Sequence, residues 1–212
     1  IHTGDFKIDP TTIDGIPIDL NRFADYGTKG VLALLSDSTN VEREGYTLSE
    51  KVVGEEFDKI FPKAKRRIIV ACFASNIHRV QQVIDSAKKV GRKVCIMGRS
   101  MVRNTQVARE LGFMHVPAGA LVQPDQLKGM DPKELVIVTT GSQGEPMSSV
   151  TRMAMGDHKQ VSVQPDDLVI LSARTIPGNE RAISNVINLL YRRGAQVLYE
   201  AVSEIVTPLS PR

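Results

Sequence analysis

Tryptophan is absent from the 212 residues, and the aromatic fraction is only 5%. A binder built on stacked aromatic platforms is therefore not expected. Only two cysteines occur, Cys72 and Cys95, each inside an apolar run and far from a second thiol. That pattern argues for buried, reduced side chains of a cytoplasmic protein rather than a disulfide framework or a zinc site. No apolar stretch approaches the ~20 residues of a membrane span, and no charged-then-apolar leader is present, so no membrane partner is expected. The four histidines, His2, His78, His115 and His158, are scattered and share no metal-ligand spacing. Also missing are Gly-x-x-x-x-Gly-Lys-Ser/Thr, Gly-x-Gly-x-x-Gly after a strand, and Gly-x-Ser-x-Gly. Their absence removes the P-loop, dinucleotide and serine-hydrolase readings. Charge of one sign is scarce too: 27 basic against 24 acidic residues leave a net +3, too little to identify a nucleic-acid partner. The basic clusters at 63–67, 88–93 and 192–193 read as solvated helix ends and loops.

What the sequence does contain is alternation. Apolar runs at 31–36 (VLALLS), 67–74, 93–97, 134–140, 167–173 and 195–200 have the length of strands buried on both faces. Amphipathic segments lie between them. Ser49 is positioned to cap a helix running to Phe61, with Val52, Val53, Phe57 and Ile60 on one face. Asn76 caps one ending at Gly91, Ser100 one ending at Gly112, and Asn179 one ending in the Arg192-Arg193 pair before Gly194. The expected fold is α/β: a doubly wound, mostly parallel sheet with helices on both faces. Strand order is not readable. The first thirty residues, with Pro10, Pro17 and several Asp, read as a separate element of short extended pieces, and the final VTPLSPR as a loose tail.

In a parallel sheet ligands bind beyond the carboxyl ends of the strands. The sequences following five successive predicted strands are all polar. They are Ser36-Asp37-Ser38-Thr39-Asn40, Ala74-Ser75-Asn76-Ile77-His78-Arg79, Gly98-Arg99-Ser100, Thr139-Thr140-Gly141-Ser142-Gln143-Gly144-Glu145-Pro146, and Ser172-Ala173-Arg174-Thr175-Ile176-Pro177-Gly178-Asn179-Glu180. Hydroxyls, amides and helix N-terminal N–H groups suit anionic oxygens, so the convergence points to a phosphate-bearing ligand. Each piece alone has a plainer reading. The 36–40 segment reads equally as an Asx-type turn, His78 as a structural histidine, and the glycines at 141 and 144 as turn glycines.

Five motifs together, His2-Thr3-Gly4-Asp5-Phe6-Lys7-Ile8-Asp9, Ser36-Asp37-Ser38-Thr39-Asn40, Phe73-Ala74-Ser75-Asn76-Ile77-His78-Arg79, Thr140-Gly141-Ser142-Gln143-Gly144-Glu145-Pro146 and Ile176-Pro177-Gly178-Asn179-Glu180, resemble ribonuclease J in its order and approximate spacing, up to Ile205. In that family a β-CASP domain is inserted into a metallo-β-lactamase catalytic domain, and RNA runs between the two. The resemblance divides the chain into a remnant of the catalytic domain at 1–40, the β-CASP domain at 41–205 and a non-family tail at 206–212. It implies a 5′-to-3′ exoribonuclease and endoribonuclease of RNA maturation and decay, using two zinc ions. The protein would be cytoplasmic and homo-oligomeric, with single-stranded RNA as its partner. Asp5 matches the carboxylate that bridges the metals, and Asp37 the acidic residue that orients a catalytic His. Ser75, Asn76, His78, Ser142, Gln143, Gly144, Asn179 and Glu180 fall on the family's RNA-facing side.

Two departures qualify the resemblance. The family's His-x-His-x-Asp-His motif is absent. Where the family continues after Glu204-Ile205 with His-Val-Ser-Gly-His-Ala, this sequence reads Val206-Thr207-Pro208-Leu209-Ser210. The sequence opens at Ile1 without an initiator Met, as an excised piece would. One carboxylate does not hold a zinc ion. The expectation is a chain that binds RNA weakly, holds no zinc and does not cut, with an apolar strand at 31–36 that promotes self-association. The alternatives are a DNA-acting or 3′-end-processing β-CASP nuclease, and a non-catalytic Rossmann-like nucleotide-binding or interaction module.

Overall fold

The computed structural model describes residues 1–38, 41, 48–200 and 202. The expectations placed on Thr39, Asn40 and the tail from 203 onward lie outside them. The chain forms two compact units, one spanning Ile1–Val52 and the other beginning at Val53.

The first unit corrects the sequence reading twice. Residues Leu20–Lys29 form a helix, α1, where only extended pieces are expected. Asp19 begins it, its side chain accepting from the Arg22 N–H at 3.1 Å. The prolines on its amino-terminal side hide a short helical repeat of Leu20, Phe23 and Ala24. The apolar run 31–36 is not a strand. It makes one parallel bridge, between His2 and Leu35, supported by Thr3 N–H to Leu35 O at 3.0 Å and Leu35 N–H to Ile1 O at 2.8 Å. Leu32 is fully exposed and Leu34 is 62% exposed. A buried strand needs neighbours on both edges, and within the described part of this unit only residues 1–3 pair with the run. The unit's buried polar anchor is Asp9. Its carboxylate accepts from Thr11 N–H at 2.9 Å, Ser49 Oγ at 2.8 Å and Glu50 N–H at 3.1 Å. Burial alone would raise the pKa of Asp9, but these hydrogen bonds and Lys7 outweigh it and hold the carboxyl below its usual value.

α2 (Lys51–Ile60) follows, with Ser49 Oγ accepting from the Lys51 N–H at 3.2 Å. Val53 and Phe57 are its buried residues. The second unit is then a regular alternation: β1 (Ile68–Ala71), α3 (Ile77–Lys89), β2 (Lys93–Ile96), α4 (Arg99–Glu110), β3 (Leu135–Thr139), α5 (Ser149–Met155), β4 (Leu168–Leu171), α6 (Glu180–Arg192) and β5 (Gln196–Leu198). The five strands form one all-parallel sheet in the order β2-β3-β1-β4-β5. β3 pairs with both β2 and β1, and all five of its residues are buried, as the uninterrupted run LVIVT requires.

Alternate residues of each strand serve opposite cores. Ile68, Val70, Val136, Val138 and Ile170 pack with α2, α3 and α4. Ile69, Ala71, Ile137, Val169 and Leu171 pack with α5 and α6. Each fully buried aliphatic side chain contributes about 1.5–3 kcal/mol, so the two layers dominate the stability of this unit. The connection from β2 to β3 changes face. It leaves through α4 on one side, adds a parallel bridge from Leu121 to Val94 at the sheet edge, and returns past Leu127 on the other.

α3 starts as expected, with Asn76 accepting from the Arg79 N–H at 3.0 Å. α4 begins earlier than expected, after Gly98 at φ +96° instead of at Ser100. α5 has no counterpart in the sequence reading. Its seven residues are too few for a visible period, although Ser148 caps its start and left-handed Gly156 ends it.

The basic clusters are not simply solvated. They sit at the amino ends of the strands, where Asp167, fully buried, pairs with Arg66 at 3.0 Å and Arg67 at 2.5 Å. Arg92 donates to the carbonyls of Ala64 and Arg66. Arg193 closes the end of α5 by donating to Ala154 O and Met155 O. These guanidinium groups tie chain ends together.

Candidate nucleic-acid interface

The opposite, carboxyl ends of the strands carry four of the five polar segments singled out in the sequence. The expected convergence of the segment beginning at Ser36 with them is not borne out as a strand end of this sheet, because its run is not a strand and lies in the first unit. β1 lies at the centre of the sheet between β3 and β4. Its chain leaves into α3 on one face, while β3 and β4 leave into α5 and α6 on the other. A parallel sheet whose neighbouring connections part to opposite faces opens a crevice at that point. The loops 72–76, 140–148 and 172–179 follow these three strands.

Side chains join these loops directly. Arg79, in the first turn of α3 and 2% exposed, donates through Nη1 to Ser172 O at 3.0 Å and to Ser172 Oγ. It thereby links the β1 connection to the end of β4. Gln143, 4% exposed, links the β3 and β4 connections. Its Nε2 donates to Arg174 O at 2.8 Å, while its Oε1 accepts from Ile176 N–H at 2.9 Å and from Asn179 Nδ2 at 3.2 Å. Glu145 Oε2 accepts from the Gln143 N–H at 3.2 Å. The flanking strands join in: Asn104 of α4 donates to Ala74 O at 2.9 Å, and Glu200, after β5, pairs with Arg174 and accepts from the Thr175 N–H.

The sequence-predicted residues thus fall into distinct settings. Ser75 and His78 lie toward the surface, and Asn76 has its side-chain oxygen capping α3. Ser142 is buried beside Gln143. Asn179 is half-buried and gives its amide to Gln143 instead of capping α6. Glu180 is exposed, with Oε2 accepting from the Gly178 N–H at 2.9 Å. Gly144 has φ +75°, and a Cβ there would stand 2.5 Å from the carbonyl carbon of Ala182 in α6. Its missing side chain serves the approach of the 140–148 loop to a helix. Sequence reasoning missed Arg79, Asn104 and the Arg174–Glu200 pair. For Arg79 a signal exists, since it shares the buried face of α3 with Val80, Val83 and Ala87.

In the first unit Asp5 is exposed. Asp37 is half-buried, and its N–H donates to Thr3 Oγ1 at 3.0 Å, which brings the segment 36–38 beside the His2–Asp5 motif.

The sequence profile of the family described as ribonuclease J, beta-CASP domain, matches residues 65–190. The chain belongs to that family. It is 48% identical over 205 residues to the ribonuclease J of Helicobacter pylori (strain ATCC 700392 / 26695), an alignment covering 97% of this chain and 30% of that protein. Against the ribonuclease J of Thermus thermophilus it is 47% identical over 199 residues, covering 94% and 35%. Against ribonuclease J 1 of Streptococcus pyogenes serotype M3 the figures are 47% over 207 residues, covering 98% and 37%. The chain therefore spans about a third of the length of these relatives. The profile match takes in β1 and all three bridged loops, and runs into α6.

Among the described residues no set of side chains fits a zinc pair, for no three of His, Cys, Asp or Glu come together in a metal-holding group. Asp5 stands exposed, and the nearby His2 already uses Nδ1 to accept from the Gly4 N–H at 3.0 Å. Among the same residues no helix is long and apolar enough to cross a membrane.

Proposed function

We propose that the chain is the RNA-binding β-CASP part of a metal-dependent ribonuclease of RNA maturation and decay, acting 5′-to-3′ and also internally. Single-stranded RNA lies across the loops at the carboxyl ends of β1, β3 and β4. The observation that carries this reading is the bridging of those loops by Arg79 and Gln143 at the crevice of a parallel sheet. Polar loops held in one arrangement by hydrogen bonds suit a sugar-phosphate chain, whose contacts position more than they discriminate. Ser75, Asn76 and His78 offer their groups from the start of α3. Asn179 and Glu180 do so from the β4 connection, while the buried Ser142, Gln143 and Gly144 hold the loops in place beneath the strand.

In the whole protein Asp5 is one carboxylate of a two-zinc site and Asp37 orients a catalytic histidine. That protein is cytoplasmic and homo-oligomeric. The chain by itself binds RNA weakly and cleaves nothing.

The test is fluorescence anisotropy of the pure chain with a 5′-monophosphorylated single-stranded RNA and the matching DNA, at several salt concentrations. The expected result is RNA binding that weakens with salt, by roughly 0.7 log units per phosphate contact for each tenfold rise. Metal-dependent cleavage by the pure chain, tighter binding of DNA than RNA, or no RNA binding at low salt would overturn the corresponding part of the proposal.

A further inference from the structure

Gln143 is an unusual loop residue. It lies one residue beyond Ser142 in a connection rich in glycine, yet it is almost fully buried and both polar ends of its amide are engaged. Its three side-chain partners, Arg174 O, Ile176 N–H and Asn179 Nδ2, are spread along the whole of the β4 connection, 31 to 36 residues away in sequence. Asn179, at the N-cap position of α6, makes no capping bond with its side chain and instead turns its Nδ2 to Gln143. One buried side chain thus ties together three points of a neighbouring connection that is otherwise largely exposed from 176 to 178.

We propose that Gln143 is a positioning residue: it fixes the 172–179 loop onto the 140–148 loop so that both present one surface to RNA. The inference rests on the functional reading above and deepens it. The side chain itself is shielded, so it acts through the loops and not by touching the strand. Backbone groups of 174–179 are held in one arrangement before RNA arrives, and the ordering cost that binding would otherwise incur is removed beforehand.

The experiment uses the full chain, with RNA affinity by anisotropy, amide exchange by NMR and thermal melting measured on the same samples. In Gln143→Leu the Ile176 amide loses its acceptor, its exchange rises about tenfold or more, and RNA affinity falls by about tenfold or more. A core variant of matched destabilisation, Ile137→Val in β3, keeps the Ile176 amide protected and RNA affinity unchanged. A purely structural role predicts the reverse pattern, in which affinity follows melting temperature in both variants, and that result overturns the proposal. Unchanged affinity in Gln143→Leu with an unprotected Ile176 amide also overturns it. Should Gln143→Leu not fold, Gln143→Glu carries the test. It keeps an acceptor for Ile176 N–H but sets a carboxylate oxygen against Arg174 O, so the 172–179 loop is pushed away, Ile176 exchange rises and RNA affinity falls by about tenfold; a rise in Ile176 exchange without any loss of affinity sinks the idea. If the unaltered chain binds no RNA, the functional reading itself has failed, and the positioning role falls with it.

Discussion

Gly144→Ala tests whether the loop after β3 rests on α6 as described. Two costs are expected. At φ +75° an alanine sits in the left-handed region, which costs about 1–2 kcal/mol. The new methyl would also stand 2.5 Å from Ala182 C, 2.7 Å from Ala182 O and 2.7 Å from Ile183 N, all main-chain atoms of a helix that cannot swing aside. Forcing extra volume into such a contact costs about 1–3 kcal/mol. The sum, roughly 2–5 kcal/mol, lowers the melting temperature by roughly 10 °C for a chain of this size. Gly178→Ala is the internal control. Its φ is +96°, but a Cβ there meets nothing within 4 Å, so only backbone strain applies. Chemical denaturation of both variants, followed by circular dichroism, isolates the helix contact as the difference between them, about 1–3 kcal/mol. Equal destabilisation of the two would refute the close approach of the loop to α6.

Two further outcomes follow from other parts of the second unit. Asp167→Asn leaves the guanidinium of Arg67, 11% exposed, without its carboxylate and should cost about 3–5 kcal/mol in urea denaturation; a loss below about 1 kcal/mol would show that the cluster is weakly coupled to folding. His158 has its pKa lowered, first by burial and then by Arg152, with Asp157 opposing; its Nδ1 accepts from Gln160 N–H and Val161 N–H. Because the folded chain resists protonating it, its contribution to stability is complete above about pH 6.5 and is lost as the pH falls below that value. His158→Asn should flatten melting temperature against pH between about 7 and 5, and parallel curves for both proteins would contradict the assignment.

Much of the second unit can be read in advance because its signals are local. The run ELVIVTT is apolar throughout its centre, as a central parallel strand must be, and Asn76 and Gly91 mark the two ends of α3. The failures share a physical cause, which is that the deciding partner is remote. VLALLS carries every mark of a strand, yet among the described residues it pairs only with residues 1–3, through one bridge. α5 is too short to show a period, and α1 hides behind prolines. At the candidate site the residue types are visible but not their direction. A glutamine in a glycine-rich loop looks the same whether it faces a phosphate or, as Gln143 does, a carbonyl on the next connection. Arginines of the basic clusters look like solvated charge, and only the fold brings Arg66 and Arg67 to Asp167, about a hundred residues on.

The cluster around Asp167 anchors one end of the sheet while the polar loops crown the other. Lys65, exposed and just ahead of β1 on the anchored side, is a natural handle. A chain tethered to a sensor chip through that lysine would turn its loops outward to the passing solution. Changes at exposed crown residues such as Ser75 and His78 would leave the cluster at the other end of the strands untouched, whereas the packed positions of the crown, Gln143 and Gly144 among them, belong to the foundation.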